Sequence, residues 1–254
     1  MVMNIHHPFH HLYRHHLQLL ENIKLGRKDK KMSKDDHLKI NQTPPPLIII
    51  AMKGHPGTGK STLADAIASA LKIPLIDKDD VRDCTLSLQQ TLQKTTPHHQ
   101  HATSAAAAAS SLLNDLSYDV IWKIASTQLK LGVSVVVDSP LSRRAHLEKL
   151  VKLAGEMRAG LVMVECKPSD EAEWRRRLEG RGNESGCGVV GDDRPSSWHK
   201  PSTWRDLERL LEGYCGCTEY DVGDVPKLTV DTTASVGFQE LVSNVIEFIL
   251  HIDF

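Results

Sequence analysis

The residues best placed to do chemistry are Gly54-His55-Pro56-Gly57-Thr58-Gly59-Lys60-Ser61-Thr62. They stand directly after an apolar run and open a segment of helical period, the context in which Gly-x-x-x-x-Gly-Lys-Ser wraps a phosphate. Glycines at 54 and 59 allow torsions and close approaches that side chains forbid, so successive backbone N–H groups can converge on one anion. Lys60 adds a point charge for β and γ phosphates. The hydroxyl of Ser61 suits Mg²⁺, and the positive end of the following helix faces the same anions. Gly54 to Thr62 are expected to bind ATP, with His55, Pro56 and Thr58 contributing backbone only.

A second signal is Val135-Val136-Val137-Asp138-Ser139-Pro140. A buried strand that ends in a carboxylate beside a phosphate loop offers Asp138 to Mg²⁺, directly or through water. Ser139 stands where hydrolytic motors commonly carry a water-polarising Glu, so fast hydrolysis is not indicated. An Asn-Lys-x-Asp guanine signature is also missing, which disfavours a GTPase.

The third signal is Ile76-Asp77-Lys78-Asp79-Asp80-Val81-Arg82-Asp83. Ligands of doubly wound sheets bind at the carboxyl ends of the strands. These charges therefore belong beside the γ phosphate, where an acceptor hydroxyl must be held in line and relieved of a proton. Asp79 is the first choice for that base and Asp77 the second, with Asp77 and Arg82 also holding the acceptor. The competing structural reading is an Asp-capped helix start with a solvated Arg82. A fourth cluster is cationic: Trp174-Arg175-Arg176-Arg177-Leu178-Glu179-Gly180-Arg181, followed by Arg194, His199 and Lys200. An Arg carried on a closing lid neutralises charge that develops in phosphoryl transfer. Arg181 and Arg177 fit that role best, Arg194 is a further lid candidate, and Arg175 and Arg176 suit a solvated face. Val230-Asp231-Thr232-Thr233 closes the last strand, where an adenine would lie against backbone.

The elements that must position these residues follow from the hydrophobic pattern. Leu47 to Met52, Pro74 to Asp77, Val133 to Val137, Leu161 to Cys166 and Leu228 to Val230 read as short buried strands. Helices are predicted over Ser61 to Leu71, Leu112 to Leu131, Leu141 to Met157, Ser169 to Leu178, Thr203 to Glu212 and Val236 to Leu250. Strands alternating with helices imply an α/β fold, a three-layer doubly wound sheet of five parallel strands. Two segments interrupt it. Lys94 to Ser111, with its run Ala105 to Ala109, reads as an excursion or flap outside the core. The Gly-, Arg- and Ser-rich stretch within residues 175–202 reads as a lid.

Residues 1–46 form a separate zone, with six histidines between His6 and His16, a charged run and Pro44-Pro45-Pro46. A mobile tail closed by a stiff spacer is expected. A transient helix would bring several histidines to one face for a divalent ion, but a solvated polar tail is the preferred reading. The folded domain then spans 47–254, with the 94–111 insert and the 175–202 lid. Lys plus Arg number 31 against 32 Asp plus Glu, so no chain-wide charge draws the protein to nucleic acid or membrane. The five cysteines (Cys84, Cys166, Cys187, Cys215, Cys217) form no even framework, and no stretch is apolar enough to span a bilayer. A soluble, cytoplasmic protein is expected; oligomeric state is not legible.

Together, Gly54-His55-Pro56-Gly57-Thr58-Gly59-Lys60-Ser61-Thr62, Asp77-Lys78-Asp79-Asp80, the Asp138 strand end and an Arg-bearing lid before the fifth strand resemble the P-loop kinases. The similarity covers about residues 47–250. It is closest in kind to the small AAA-type ATP-dependent phosphotransferases that include adenylylsulfate kinase, chloramphenicol phosphotransferase, zeta-toxin and polynucleotide kinase domains, and plant members of undefined substrate. The resemblance implies a P-loop NTPase fold of kinase type, ATP and Mg²⁺ as cofactors, and a small-molecule or nucleotide-like acceptor. In that group the second Asp of Asp-x-Asp after strand two serves as base, which corresponds to Asp79. The alternative is an ATP-binding switch that hydrolyses slowly and acts through partner proteins. Because the first buried strand begins only at Leu47, removal of residues 1–46 is expected to leave ATP binding and thermal stability intact. A melting temperature lower by many degrees in the truncated chain would show instead that the tail packs on the domain.

Overall fold

Ile48–Lys53 carries no polar alternation and is buried along its whole length, as a strand covered on both faces must be. In the computed structural model, which describes residues 46–95, 102–184 and 199–252, this segment is strand β1 at the centre of a five-stranded sheet. The other strands are β2 Leu75–Asp77, β3 Val135–Asp138, β4 Gly160–Cys166 and β5 Lys227–Val230. Their order is β2-β3-β1-β4-β5, and every neighbouring pair is parallel. The helices among the described residues are α1 Lys60–Leu71, α2 Lys78–Asp83, α3 Leu86–Thr95, α4 Ala102–Lys130, α5 Arg144–Met157, α6 Glu171–Glu184, α7 Trp204–Gly213 and α8 Phe238–Leu250.

Successive strand residues point to opposite faces, so β1 divides its apolar side chains between two cores. Ile48, Ile50 and Met52 pack with Leu63 and Ile67 of α1 and with Leu241, Val245 and Ile249 of α8. On the other face, Ile49 and Ala51 meet Tyr118, Ile121 and Ala125 of α4 and Leu147 and Leu150 of α5. A smaller cluster joins Leu178 of α6 to Trp204 and Leu207 of α7. The architecture is thus the three-layer α/β sheet that the strand pattern predicts. Among the described residues no helix is long and apolar enough to cross a membrane.

Two differences from the hydrophobic pattern have local causes. Helices α2 and α3 were not predicted, since six and ten residues carry little periodicity. Helix α2 starts without a loop, because Asp77 is at once the last residue of β2 and the cap whose carboxylate accepts the Asp79 N–H at 2.8 Å. The Lys94 to Ser111 excursion is helical at both ends: α3 runs to Thr95, and α4 begins at Ala102, ten residues before the predicted start. An alanine run has the highest intrinsic helix propensity and prolongs α4 beyond its buried part. Residues 1–45, 96–101, 185–198 and 253–254 lie outside the described residues, and with them the His-rich tail, Cys187, Arg194 and half of the expected lid.

One half-buried titratable group sits between α4 and α5. The His146 ring stacks on Tyr118 at 3.7 Å between centroids, and its Nδ1 is buried without a partner among the described residues. Burial first, then the charges of Arg143 and Lys149, depress its pKa from 6.5 to about 4. The folded state resists protonation here, so this contribution to stability is complete above pH 6.5 and is lost as pH falls toward about 4. Melting curves across that interval should show a falling midpoint, and a shallower fall for His146→Phe. Equal slopes in the two proteins would remove His146 from the account.

Candidate active site

The loop that follows β1 turns on glycine. Gly54 has φ 153°, and a Cβ there would lie 2.9 Å from the Cys166 carbonyl oxygen and 2.9 Å from Thr58 Oγ1. Gly57, at φ 84°, would drive a Cβ to 2.9 Å from Trp174 Nε1. These two close approaches are what only glycine permits. Thr58 closes the turn, its hydroxyl donating to the His55 carbonyl at 2.8 Å, and Leu63 N–H bonds Gly59 O at 3.0 Å to start α1.

Strand register sets the carboxylates against this loop. Asp138 lies opposite Met52 on one side and opposite Asp77 on the other. It is fully buried and forms an ion pair with Lys60. Its Oδ2 and the neighbouring Ser139 Oγ are buried and have no hydrogen-bond partner among the described residues. Lys60 Nζ also lies 3.5 Å from Ser61 Oγ. Thus the predicted metal pair, Ser61 and Asp138, meets around the Lys60 ammonium. Asp77 is pushed up to about 6 by burial and by the Asp138 charge, against the opposing Asp79 N–H bond.

Asp79 stands in a different field. Its carboxylate meets Lys78 at 3.0 Å, Lys200 at 2.8 Å and His199 Nε2 at 3.2 Å. Burial alone would raise its pKa, but His199 and the two lysines hold it far below the carboxylate range. His199 also reaches Asp83 at 3.2 Å, so the chain around His199 and Lys200 is fastened to α2. Arg82, predicted to touch the acceptor, is 2% exposed. Its guanidinium donates to Thr85, Gln89 and Ser110, binding α2, α3 and α4 together. A cleft of about 460 Å³ runs from Lys60 and Ser61 past Asp79 to Arg82, Ser110 and Arg143.

On the opposite flank, α6 pins the phosphate loop. Trp174 Nε1–H donates to the Pro56 carbonyl at 2.8 Å, and its ring stands edge-on to Trp204 at 5.1 Å. Arg177 bonds the Thr232 carbonyl at 3.0 Å, while Thr232 Oγ1 donates to Thr58 O at 2.7 Å. Arg177 therefore ties α6 to the segment after β5, and Thr232 ties that segment to the loop. Arg181 lies on the last turns of α6. Arg176 pairs on the surface with Glu173, while Arg175 lies over the Trp204 ring at 4.9 Å. Behind the loop, Lys53 and Lys227 both pair with Glu165, whose carboxyl they hold low against its burial.

Several of these residues were not singled out from the sequence. Lys78 was read only as a spacer between two aspartates, and Arg143 not at all, although it lies in the loop after β3 where strand-end chemistry gathers. Trp174 looked like one aromatic in a cationic run. Only the fold shows that it reaches Pro56 across 118 positions.

A parallel sheet of this order, with a Gly-rich loop whose Lys pairs with a strand-end carboxylate, is the arrangement of a P-loop fold. Residues 49–194 match the family described as an AAA domain, more than half of the chain, and the chain belongs to that family. Among solved structures, a candidate kinase from Chloroflexus aurantiacus superposes with a TM-score of 0.54 at 21% identity, covering 82% of this chain and 99% of that one. A sugar kinase from a Janibacter species (TM-score 0.47, 14% identity, 81% and 95% covered) and a gluconokinase from Sinorhizobium meliloti (0.47, 20%, 82% and 93%) superpose less well. At such identities the likeness is one of fold. No curated protein matches the sequence.

The Trp174 to Pro56 bond makes a direct prediction. Trp174→Phe keeps an aromatic ring but loses the donor, at a cost of about 0.5–1.5 kcal/mol in stability. Nucleotide affinity measured by calorimetry should fall with it, because the loop loses its brace. An unchanged affinity would show that the loop holds its shape without α6.

Proposed function

We propose that this protein is an ATP-dependent phosphotransferase that moves the γ phosphate to a hydroxyl of a small-molecule or nucleotide-like acceptor. The observation that carries the reading is the continuous cleft from Lys60 and Ser61 to Asp79, which gives donor and acceptor a shared space. The N–H groups of the loop and Lys60 would hold the phosphates, with adenine toward Thr232 at the end of β5. Ser61 and Asp138 fit a divalent cation: Asp138 Oδ2 and Ser139 Oγ are buried oxygens without a partner among the described residues, and hard oxygens are what Mg²⁺ selects. When bound, Mg²⁺ would supply positive charge between β and γ phosphates.

Asp79 faces the acceptor end of the cleft, and its cationic neighbours keep it ionised. Such a carboxylate can receive a hydrogen bond from the attacking hydroxyl at every physiological pH. Phosphoryl transfer through a loose transition state asks mainly for this alignment, with the proton leaving late. Asp77, less favoured as an anion and set beside Asp138, belongs to the metal side and is the reserve base. Arg177 and Arg181 on α6, with Arg194 beyond it, are the cations proposed to meet charge that develops during transfer. The free thiols of Cys84, Cys166, Cys215 and Cys217 agree with a cytoplasmic setting.

The experiment is a metabolite-library screen for acceptor-dependent ATP consumption, repeated with two variants. Lys60→Ala should lose most nucleotide affinity while remaining folded. Asp79→Asn should bind ATP normally but transfer phosphate about 10²- to 10⁴-fold more slowly. Parental transfer by Asp79→Asn would move the base to Asp77. Nucleotide binding with no acceptor consumed would favour a slow ATPase or switch that acts through partners.

A further inference from the structure

The cleft wall beyond the phosphate loop carries more positive charge than its own carboxylates neutralise. Lys78 is 5% exposed, lies 3.0 Å from Asp79 and donates to Asn114 Oδ1 at 3.2 Å. Lys200 reaches the same Asp79 at 2.8 Å. One carboxylate thus answers two ammonium groups, while His199 is shared between it and Asp83. Arg143 lines the same cleft; it caps α5 through its backbone only, and its guanidinium makes no hydrogen bond or ion pair among the described residues. A buried lysine is costly unless its charge is used, and an Arg presented freely at a cleft edge is ready for a planar, bidentate oxyanion.

These cations stand apart from the groups suited to ATP. Lys78 follows β2 and Arg143 follows β3, on one side of β1, whereas Thr232 and Arg177 stand at β5 on the other. We propose that Arg143, Lys78 and Lys200 form an oxyanion subsite, so that the acceptor is an alcohol that also carries a phosphate, sulfate or carboxylate group. The substrate class rests on the phosphotransferase reading above, whereas the anion site itself does not. Asp79 already takes up part of the charge of the two lysines, which leaves Arg143 as the principal reader of the anion.

Two measurements on the full chain separate the claims. With the phosphate loop saturated by Mg²⁺ and a non-hydrolysable ATP analogue, inorganic sulfate should raise the melting temperature above a chloride control of equal ionic strength. Arg143→Ala, an exposed substitution that leaves the core untouched, should abolish the rise, and Arg143→Lys should restore part of it. Absence of the rise in the parent, or its persistence in Arg143→Ala, overturns the subsite. In the transfer assay, acceptors are offered in pairs that differ only by the oxyanion. The charged member should be preferred by about tenfold or more, and Arg143→Ala should raise its KM by a similar factor while kcat changes little. Equal use of the neutral member overturns the substrate class. Sulfate binding that depends on Arg143, with no acceptor phosphorylated, would retain the subsite and reject the phosphotransferase.

Discussion

The buried ion pair between Lys60 and Asp138 is the contact on which the rest of the site depends. Neither partner is free to turn to solvent, and removal of one member of such a pair typically costs about 3–5 kcal/mol because the other charge is stranded. The pair exists because β3 lies directly beside β1, which aligns Asp138 with Met52 and delivers the carboxylate to the start of α1. Any other strand order would leave the Lys60 ammonium without its counter-charge. The sheet topology and the electrostatics of the loop are therefore a single constraint.

From this centre the site divides into two flanks held by different forces. The flank toward β4 and β5 is braced by the hydrogen bonds of Trp174 and Thr232 and by packing on the Trp204 ring, with Arg177 and the two lysines on Glu165 added to them. The flank toward β2 is held by charge, with Asp79, Lys78, His199 and Lys200 in one cluster. Neutral bonds are insensitive to salt, whereas charge clusters near an open cleft are partly screened. Added salt therefore acts first on the ties of Asp79 rather than on the Trp174 to Pro56 bond.

The phosphate loop and the five strands were legible in the sequence because their signals are local: a fixed glycine spacing, and apolar runs with β-branched residues. Asp77, Asp79 and Asp138 were legible for a related reason, since each ends a strand or begins a helix at the carboxyl edge of the sheet. What the sequence did not disclose were relations between distant segments. Arg82 was expected to meet a ligand, yet its guanidinium is bonded to Ser110, 28 residues away, which nothing in a local window indicates. The different fields around Asp77 and Asp79, two positions apart, likewise arise from Asp138, His199 and Lys200, which only the folded chain brings near. The alanine run was read as an excursion and its helical state was not foreseen, because low complexity signals disorder in composition but helix in propensity.

That long helix has a further consequence. At 1.5 Å per residue, its 29 residues make a rod roughly 43 Å in length, of which the C-terminal half is seated on the sheet through Tyr118, Ile121, Ala125 and Leu129. The part nearer its start carries Ser110, Ser111 and Asn114 to the cleft. There Ser110 accepts from Arg82 and Asn114 accepts from Lys78, so changes at these positions alter the cleft wall and its ties to α2. One helix thus does two jobs along its axis: its later turns close the core over the sheet, and its earlier turns set the shape of the cleft by holding α2 in place.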